Sequence, residues 1–349
     1  METKKYANKG LTGLVNLGNT CFLNSAIQAI SHTYEFSELL DNTKVLDYVN
    51  DNCSSTLFKE WNELRKLMWS QNCIIAPKGF LSSVQMVAEK KNQDLFTGYE
   101  QNDLSEFLIF LLGCFHDSLK REVDIIVKGE IKNFKDKIAL KCLDSYKRLQ
   151  EKEYSEIIDL FYGIQATLIY KDNVDAENID EKSILSVASE SFFIVNLPIP
   201  NKKRNINIYD CFDTFTEVEK LDGDNKWYNE KTKKKESVNK KCCFWKLPKI
   251  LIVDLKRFDI YNSKRQNLIE VPHKIDLSKY IIGYKPKSTI YDLYAVCNHS
   301  GVTQGGHYTA NVKNANDKWY NYNDTSVTAI KKENAVTAKA YCLFFRLSL

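Results

Sequence analysis

The chain has 349 residues, 44% of them hydrophobic and 27% charged, a globular balance with ample material for a sizeable core. Its 49 basic and 45 acidic residues are scattered, leaving a net charge of +4, which excludes the concentrated basic patch that nucleic acid demands. The first residues lack the apolar stretch of a secretory leader, and no apolar run is long enough to span a bilayer.

A soluble intracellular protein of the cytoplasm or nucleus, with no nucleic-acid or membrane partner, is therefore expected. The ten cysteines fit that compartment. Cys114, Cys297 and Cys342 lie in apolar patterns, where thiols act as small hydrophobes. There is no CxxC pair, and the adjacent Cys242 and Cys243 have no second pair nearby, so no structural zinc is expected. The basic run Lys231–Lys241, interrupted by Glu236, reads as a solvated loop.

In chain order, the segment Asn16-Leu-Gly-Asn-Thr-Cys21 leads into apolar positions 22, 23, 26, 27 and 30, a helical stripe. Gly18, Asn19 and Thr20 make a turn ending in good N-cap residues, which puts Cys21 in the first helical turn. There the unpaired backbone N–H groups and the positive end of the dipole favour a thiolate. The bland alternative is a small residue buried at a helix start. Asp103–His116 is a second helix, with Leu104, Phe107, Leu108, Leu111, Leu112 and Phe115 on one face. Asp103 and Glu106 stand at capping-box spacing. Helices dominate up to about residue 165. Between about 166 and 245, β-rich pieces such as Ser191–Ile199 alternate with charged loops. From 247 onward strands dominate: Lys249–Leu255, Tyr291–Asn298, His307–Val312, Trp319–Tyr322 and Tyr341–Arg346. Helices first and strands later indicate an α+β protein.

A nucleophilic cysteine needs a base, and the chain has five histidines. His32, His116 and His273 have no evident partner. His299 and His307 flank a glycine-rich loop flexible enough to gate a site, and His299 reads as a loop or gate residue. His307 opens a strand that returns through Lys318-Trp-Tyr-Asn-Tyr-Asn-Asp. If Lys313 pairs with Lys318, His307 falls opposite Asp324; with a turn one residue shorter it faces Asn323. Either residue could accept the Nδ1 proton and leave Nε2 free for the thiol.

Gly13-Leu-Val-Asn-Leu-Gly-Asn-Thr-Cys-Phe-Leu-Asn-Ser25 resembles the Cys box of ubiquitin-specific proteases. Tyr294–Tyr308 with Trp319–Asp324 resembles their His box. Glu100-Gln-Asn-Asp-Leu-Ser-Glu-Phe107 and Leu247–Phe258 resemble two further family segments. The resemblance covers nearly the whole chain. It implies a papain-like fold of thumb, fingers and palm, as one catalytic domain over 10–349 (thumb about 10–160, fingers about 161–246, palm about 247–349) behind a short extension, 1–9.

By the same resemblance Cys21 is the nucleophile, His307 the general base, Asn323 the residue orienting it and Asp324 a supporting acid. Asn16 matches the oxyanion-hole residue. Gln101, Asp103, Glu106, His299, Gly305, Gly306 and Tyr308 match positions that hold substrate. The implied partner is ubiquitin, met by a monomer that needs no cofactor. Asn229 and Thr232 stand where the family often carries finger cysteines, so the fingers are expected to lack zinc. Two rival functions are an inactive ubiquitin-binding scaffold and a protease for another ubiquitin-like modifier. The scaffold would have lost Cys21, His307 or Asn323, and all three are present.

Overall fold

The computed structural model describes residues 3–176, 179–180, 182–201, 205–302 and 305–348. The amino-terminal part is a helical layer: α1 (Cys21–Ser31), α2 (Cys53–Ser70), α3 (Lys78–Lys90) and α4 (Leu104–Leu119). Their shared core holds Phe36, Phe58, Trp61, Phe80, Phe107 and Phe115. Each such side chain contributes roughly 1.5–3 kcal/mol on burial. The stripe expected on α1 understates its burial, because all residues from Cys21 to Ser31 are buried. The helix is wedged between α4 and the large sheet described below, so its polar members need internal partners. Gln28 Nε2, for example, donates to the Thr12 carbonyl at 2.8 Å.

Next come α5 (Phe134–Glu153) and a four-stranded antiparallel sheet. Its strands are β1 (Gly163–Lys171), β2 (Ile184–Phe192), β4 (Val218–Leu221) and β7 (Val238–Lys246), in the order β2-β1-β7-β4. Asn133 and Asp136 close a capping box at the start of α5. Its Ile138, Ala139 and Cys142 pack on Ala166, Leu168, Tyr170 and Cys243 of that sheet. Strand β3 (Ile194–Pro198) belongs elsewhere. The apolar piece expected over Ser191–Ile199 is thus cut at Phe193 between two sheets. The basic run Lys231–Lys241 is not a loop. Lys234–Glu236 is β6, paired with β5 (Trp227–Asn229), and β7 begins at Val238.

The third part is an eight-stranded sheet. It takes in β3, β8 (Ile250–Lys256), β9 (Lys274–Asp276), β10 (Ile290–Val302), β11 (Gly305–Lys313), β12 (Trp319–Asn323), β13 (Ser326–Ile330) and β14 (Ala340–Leu347). The main order is β13-β12-β11-β10-β14-β8-β3, with β9 beside the start of β10. Only the β8–β3 pair is parallel among those described. The α1 helix packs across β10, β11 and β12, which brings the helix start against the middle of the sheet. Tyr6, ahead of Gly10, is docked too: it is buried, stacks on Tyr34 and donates to Glu38 at 3.0 Å.

Candidate active site

The turn before Cys21 is organised by one carboxamide. Asn16 Oδ1 accepts from the backbone N–H groups of Gly18 and Thr20, both at 3.1 Å, and from Thr20 Oγ1 at 3.3 Å. The curl needs positive φ at Gly18 (108°) and Asn19 (54°), residue types that tolerate it. Thr20 precedes the helix but does not cap it. Its hydroxyl accepts from Leu17 N–H instead, at 2.9 Å.

Cys21 is buried, and burial pushes its thiol above the usual value, further helped by the charge of Asp324. Hydrogen bonds from the backbone N–H groups of Tyr308, Phe22 and Cys21 itself oppose this without winning. The helix start was expected to favour a thiolate; burial of the sulfur is the larger effect. Among the described residues the Cys21 sulfur has no hydrogen bond to the His307 ring.

His307 lies on β11, immediately before Tyr308, and its Nε2 is 2.7 Å from Asn323 Oδ1. An amide oxygen only accepts, so Nε2 carries the proton and Nδ1 is the basic nitrogen. This reverses the ring assignment expected from the sequence. The hairpin register also differs: Lys313 pairs with Trp319, one residue beyond the longer turn considered. In that register Ala310 faces Tyr322, so odd-numbered residues of both strands share one side and even-numbered ones the other. Asn323 is on the side of His307. Asp324, in a tight turn with φ of 49°, turns to the side of α1. There its Oδ2 accepts from Asn16 Nδ2 at 3.0 Å and its Oδ1 from Asn24 Nδ2 at 2.8 Å. Asp324 is therefore a partner of the two asparagines and not of the imidazole.

A narrow cleft of about 180 Å³ lies beside this group, lined by Gln101, Asn102, Asp103, Phe258, His299, Val302, Gly305, Gly306 and Tyr308. Gln101 Oε1 accepts from Gly306 N–H at 2.6 Å, joining the two walls. Asp103 caps α4 by accepting from Ser105 and Glu106 N–H. Its other oxygen accepts from the hydroxyls of Tyr341 at 2.5 Å and Tyr308 at 3.4 Å. The reciprocal half of the expected capping box is not made, and Glu106 lines a different groove with Lys91, Phe96 and Ile109.

His299 is not a loop residue. It sits on β10, 5% exposed, against the Tyr308 ring at 4.5 Å. Burial and the nearby Lys264 charge hold it down to about 4. Any gate in the following loop falls partly on Thr303 and Gln304, outside the described residues. A side chain at Gly306 would run into His299 Nε2, which explains the glycine. No group of metal-ligating side chains is assembled among the described residues. Asn229 Nδ2 donates to both Glu236 oxygens at 3.1 Å, and Thr232 Oγ1 donates to the same carboxylate. A polar knot closes the β5–β6 hairpin.

Sequence reasoning did not single out Asn24, Lys264, Asp254 or Tyr341. Asn24 left a signal, a polar residue one turn after Cys21 on the same helix. The others come from strands and loops distant in sequence and left none.

Residues 12–345 match the family model described as ubiquitin carboxyl-terminal hydrolase. The chain is 33% identical to human ubiquitin carboxyl-terminal hydrolase 2 over 353 residues, covering 97% of this chain and 56% of that protein. The Gallus gallus protein of the same description is 34% identical, covering 97% of this chain and 94% of the relative. The chain thus spans just over half the length of the human relative. Among solved structures it is similar to the SAGA DUB module containing Ubp8 bound to monoubiquitin. The TM-score is 0.74 at 23% identity, over 100% of this chain and 71% of that one. The same module bound to ubiquitin aldehyde aligns with the same TM-score. The fold is the papain-like α+β arrangement of these catalytic domains. The chain belongs to the ubiquitin carboxyl-terminal hydrolase family, among the ubiquitin-specific proteases that its motifs resemble.

Proposed function

We propose that this chain is a thiol-dependent hydrolase that cuts the bond after the C-terminal glycine of ubiquitin in conjugates or chains. The observation that carries this reading is the 2.7 Å contact between His307 Nε2 and Asn323 Oδ1. His307 adjoins Tyr308, whose backbone N–H meets the Cys21 sulfur, in a chain matched to the family over residues 12–345. His307 Nδ1 takes the thiol proton, and the sulfur attacks the glycine carbonyl carbon. The resulting oxyanion is met by the Asn16 carboxamide, whose second Nδ2 hydrogen is not used by Asp324. A single donor of this kind is worth roughly 10²–10³ in rate. The imidazolium then protonates the leaving amine, and a thioester remains on Cys21. Water, deprotonated by the same nitrogen, hydrolyses it and frees the thiol.

Asn323 keeps the ring in the tautomer that leaves Nδ1 basic, and Asp324 supports from the oxyanion side. Gln101, Asp103, His299, Gly305, Gly306 and Tyr308 border the cleft that takes the substrate tail; Glu106 serves an outer contact. The catalytic domain runs over 10–349, divided near 160 and 246 into thumb, fingers and palm. It acts as an intracellular monomer, in cytoplasm or nucleus, on ubiquitin rather than nucleic acid or membrane. No helix among the described residues is long and apolar enough to cross a membrane. The test is release of a fluorophore amide-linked to the ubiquitin C-terminus. Turnover by the parent and none by Cys21→Ser supports the reading; equal rates for the two proteins contradict it.

A further inference from the structure

We propose that Asn24 is a positioning residue for this reaction: it fixes Asp324, which in turn fixes the Asn16 carboxamide that faces the oxyanion. The inference rests on the function proposed above.

Asn24 follows Cys21 by one helical turn on α1 and is 3% exposed. Its Nδ2 donates to Asp324 Oδ1 at 2.8 Å, and Asn16 Nδ2 donates to Asp324 Oδ2 at 3.0 Å. The two amides therefore share one carboxylate, one from the nucleophile helix and one from the loop before it. The Asp324 backbone is held as well, its carbonyl accepting from Leu14 N–H at 2.8 Å. The far end of the Asn16 amide is already occupied by Gly18 and Thr20. Both ends of the oxyanion donor are thus fixed, and its distance from Cys21 is set through the Asn24 side chain.

Asn24 Oδ1 is buried and has no partner among the described residues. Flipping the amide would oppose that oxygen to the Asp324 carboxylate, so the orientation is set by the charge-assisted bond. Contacts from Nδ2 to the Leu14 and Val15 carbonyls, at 3.4 and 3.5 Å, are too long to set it. A purely structural asparagine would bring its acceptor to a donor; this one leaves it idle and spends its donor on Asp324.

The experiment measures kcat and KM on the ubiquitin C-terminal fluorogenic amide, with the iodoacetamide alkylation rate of Cys21 as control. The proteins are the parent, Asn24→Ala, Asn16→Ala and the double variant. The expected result for Asn24→Ala is a kcat lower by about ten- to a hundredfold, with KM and alkylation within about twofold. The double variant should be no slower than Asn16→Ala alone. Additive losses, a change confined to KM, or a parallel fall in alkylation would overturn the role.

Asn24→Asp, which keeps the shape, provides a second reading. Two facing carboxylates share a proton, so its kcat relative to the parent should recover as pH falls from 8 to 6. A ratio flat with pH overturns the proposal. A parent without turnover brings down the functional reading and this inference together, whereas an active parent with additive variants removes only Asn24.

Discussion

The Lys264 ammonium lies 2.9 Å from His299 Nδ1 and donates to the carbonyls of His299 and Gly301 at 2.8 and 3.2 Å. One side chain thereby ties down the end of β10 that walls the cleft. Burial, with the Arg257 and Lys339 charges, lowers Lys264 to about 8, so it remains a cationic donor at neutral pH. Lys264→Met is expected to raise KM for the ubiquitin amide severalfold while kcat stays within about twofold, because the wall loosens and the reacting groups do not. Steady-state kinetics check this; an unchanged KM would show that the tether does not matter to binding. With His299 neutral above about 4, a limb of kcat/KM near neutrality belongs to a different group.

Asn323 and Asp324 act on opposite faces of the same hairpin, and their substitutions should separate accordingly. Asn323→Ala removes the acceptor on His307 Nε2 and is expected to lower kcat by about 10²-fold, while Asn323→Asp retains substantial activity because an acceptor remains. Asp324→Asn loses one charge-assisted contact to an amide and is expected to lower kcat through the Asn16 side chain, so that its loss is not additive with that of Asn16→Ala. Steady-state kinetics of each variant combined with Asn16→Ala distinguish them. Additive losses for Asp324→Asn with Asn16→Ala, beside non-additive losses for Asn323→Ala with Asn16→Ala, would exchange the two roles.

The residue types of this site were legible because they are local. The turn at Asn16–Thr20 and the helix after it follow from positive-φ residues and apolar spacing within fifteen or so positions, and both are observed. The strands of the large sheet were legible from apolar alternation for the same reason. The register of the β11–β12 hairpin was not. A one-residue difference in the turn, Asn314 to Lys318, changes which side chains share a face, and nothing in the sequence fixes that length. Burial of His299 was not legible, and burial of Cys21 was only one of two readings, for a related cause. Both depend on how α1 and β10 meet other elements, which periodicity within one element does not report. The capping pattern at Asp103 shows the converse: the cap is made, but tertiary hydroxyls from Tyr308 and Tyr341 take the second oxygen.

Cys21 should behave as an ordinary or weakened nucleophile before substrate arrives. With its thiol raised by burial, the iodoacetamide rate of the free protein should climb through and beyond the usual thiol range near ~8.5, with no plateau at neutral pH. The measurement is the pseudo-first-order alkylation rate from pH 6 to 10. A plateau already reached below pH 7 would mean a resting thiolate.

Asp254 is a buried carboxyl raised to about 7, chiefly by burial and also by the Asp103 charge, despite a 2.7 Å bond from Ser105 Oγ. Because the folded protein holds this proton more tightly than the unfolded chain does, the contribution of Asp254 to stability is greatest at low pH. It falls as pH rises from the unfolded carboxylate value, near ~3.9, through about 7. Asp254→Asn keeps an acceptor for Ser105 and removes the ionisation. Its Tm relative to the parent should therefore rise with pH, by a few degrees between pH 5.5 and 8. A difference independent of pH would show that Asp254 does not titrate in this window.

In the reaction proposed above, one of ten cysteines, Cys21, forms the bond to the ubiquitin terminus with His307 as its base. The most direct measurement uses ubiquitin carrying a C-terminal electrophile, followed by intact-mass analysis and peptide mapping of the adduct. The expected result is one ubiquitin per chain, attached at Cys21, formed at a rate that falls at least about 10²-fold in His307→Ala. No adduct, an adduct on any of the other nine cysteines, or capture at an undiminished rate without His307 would contradict it.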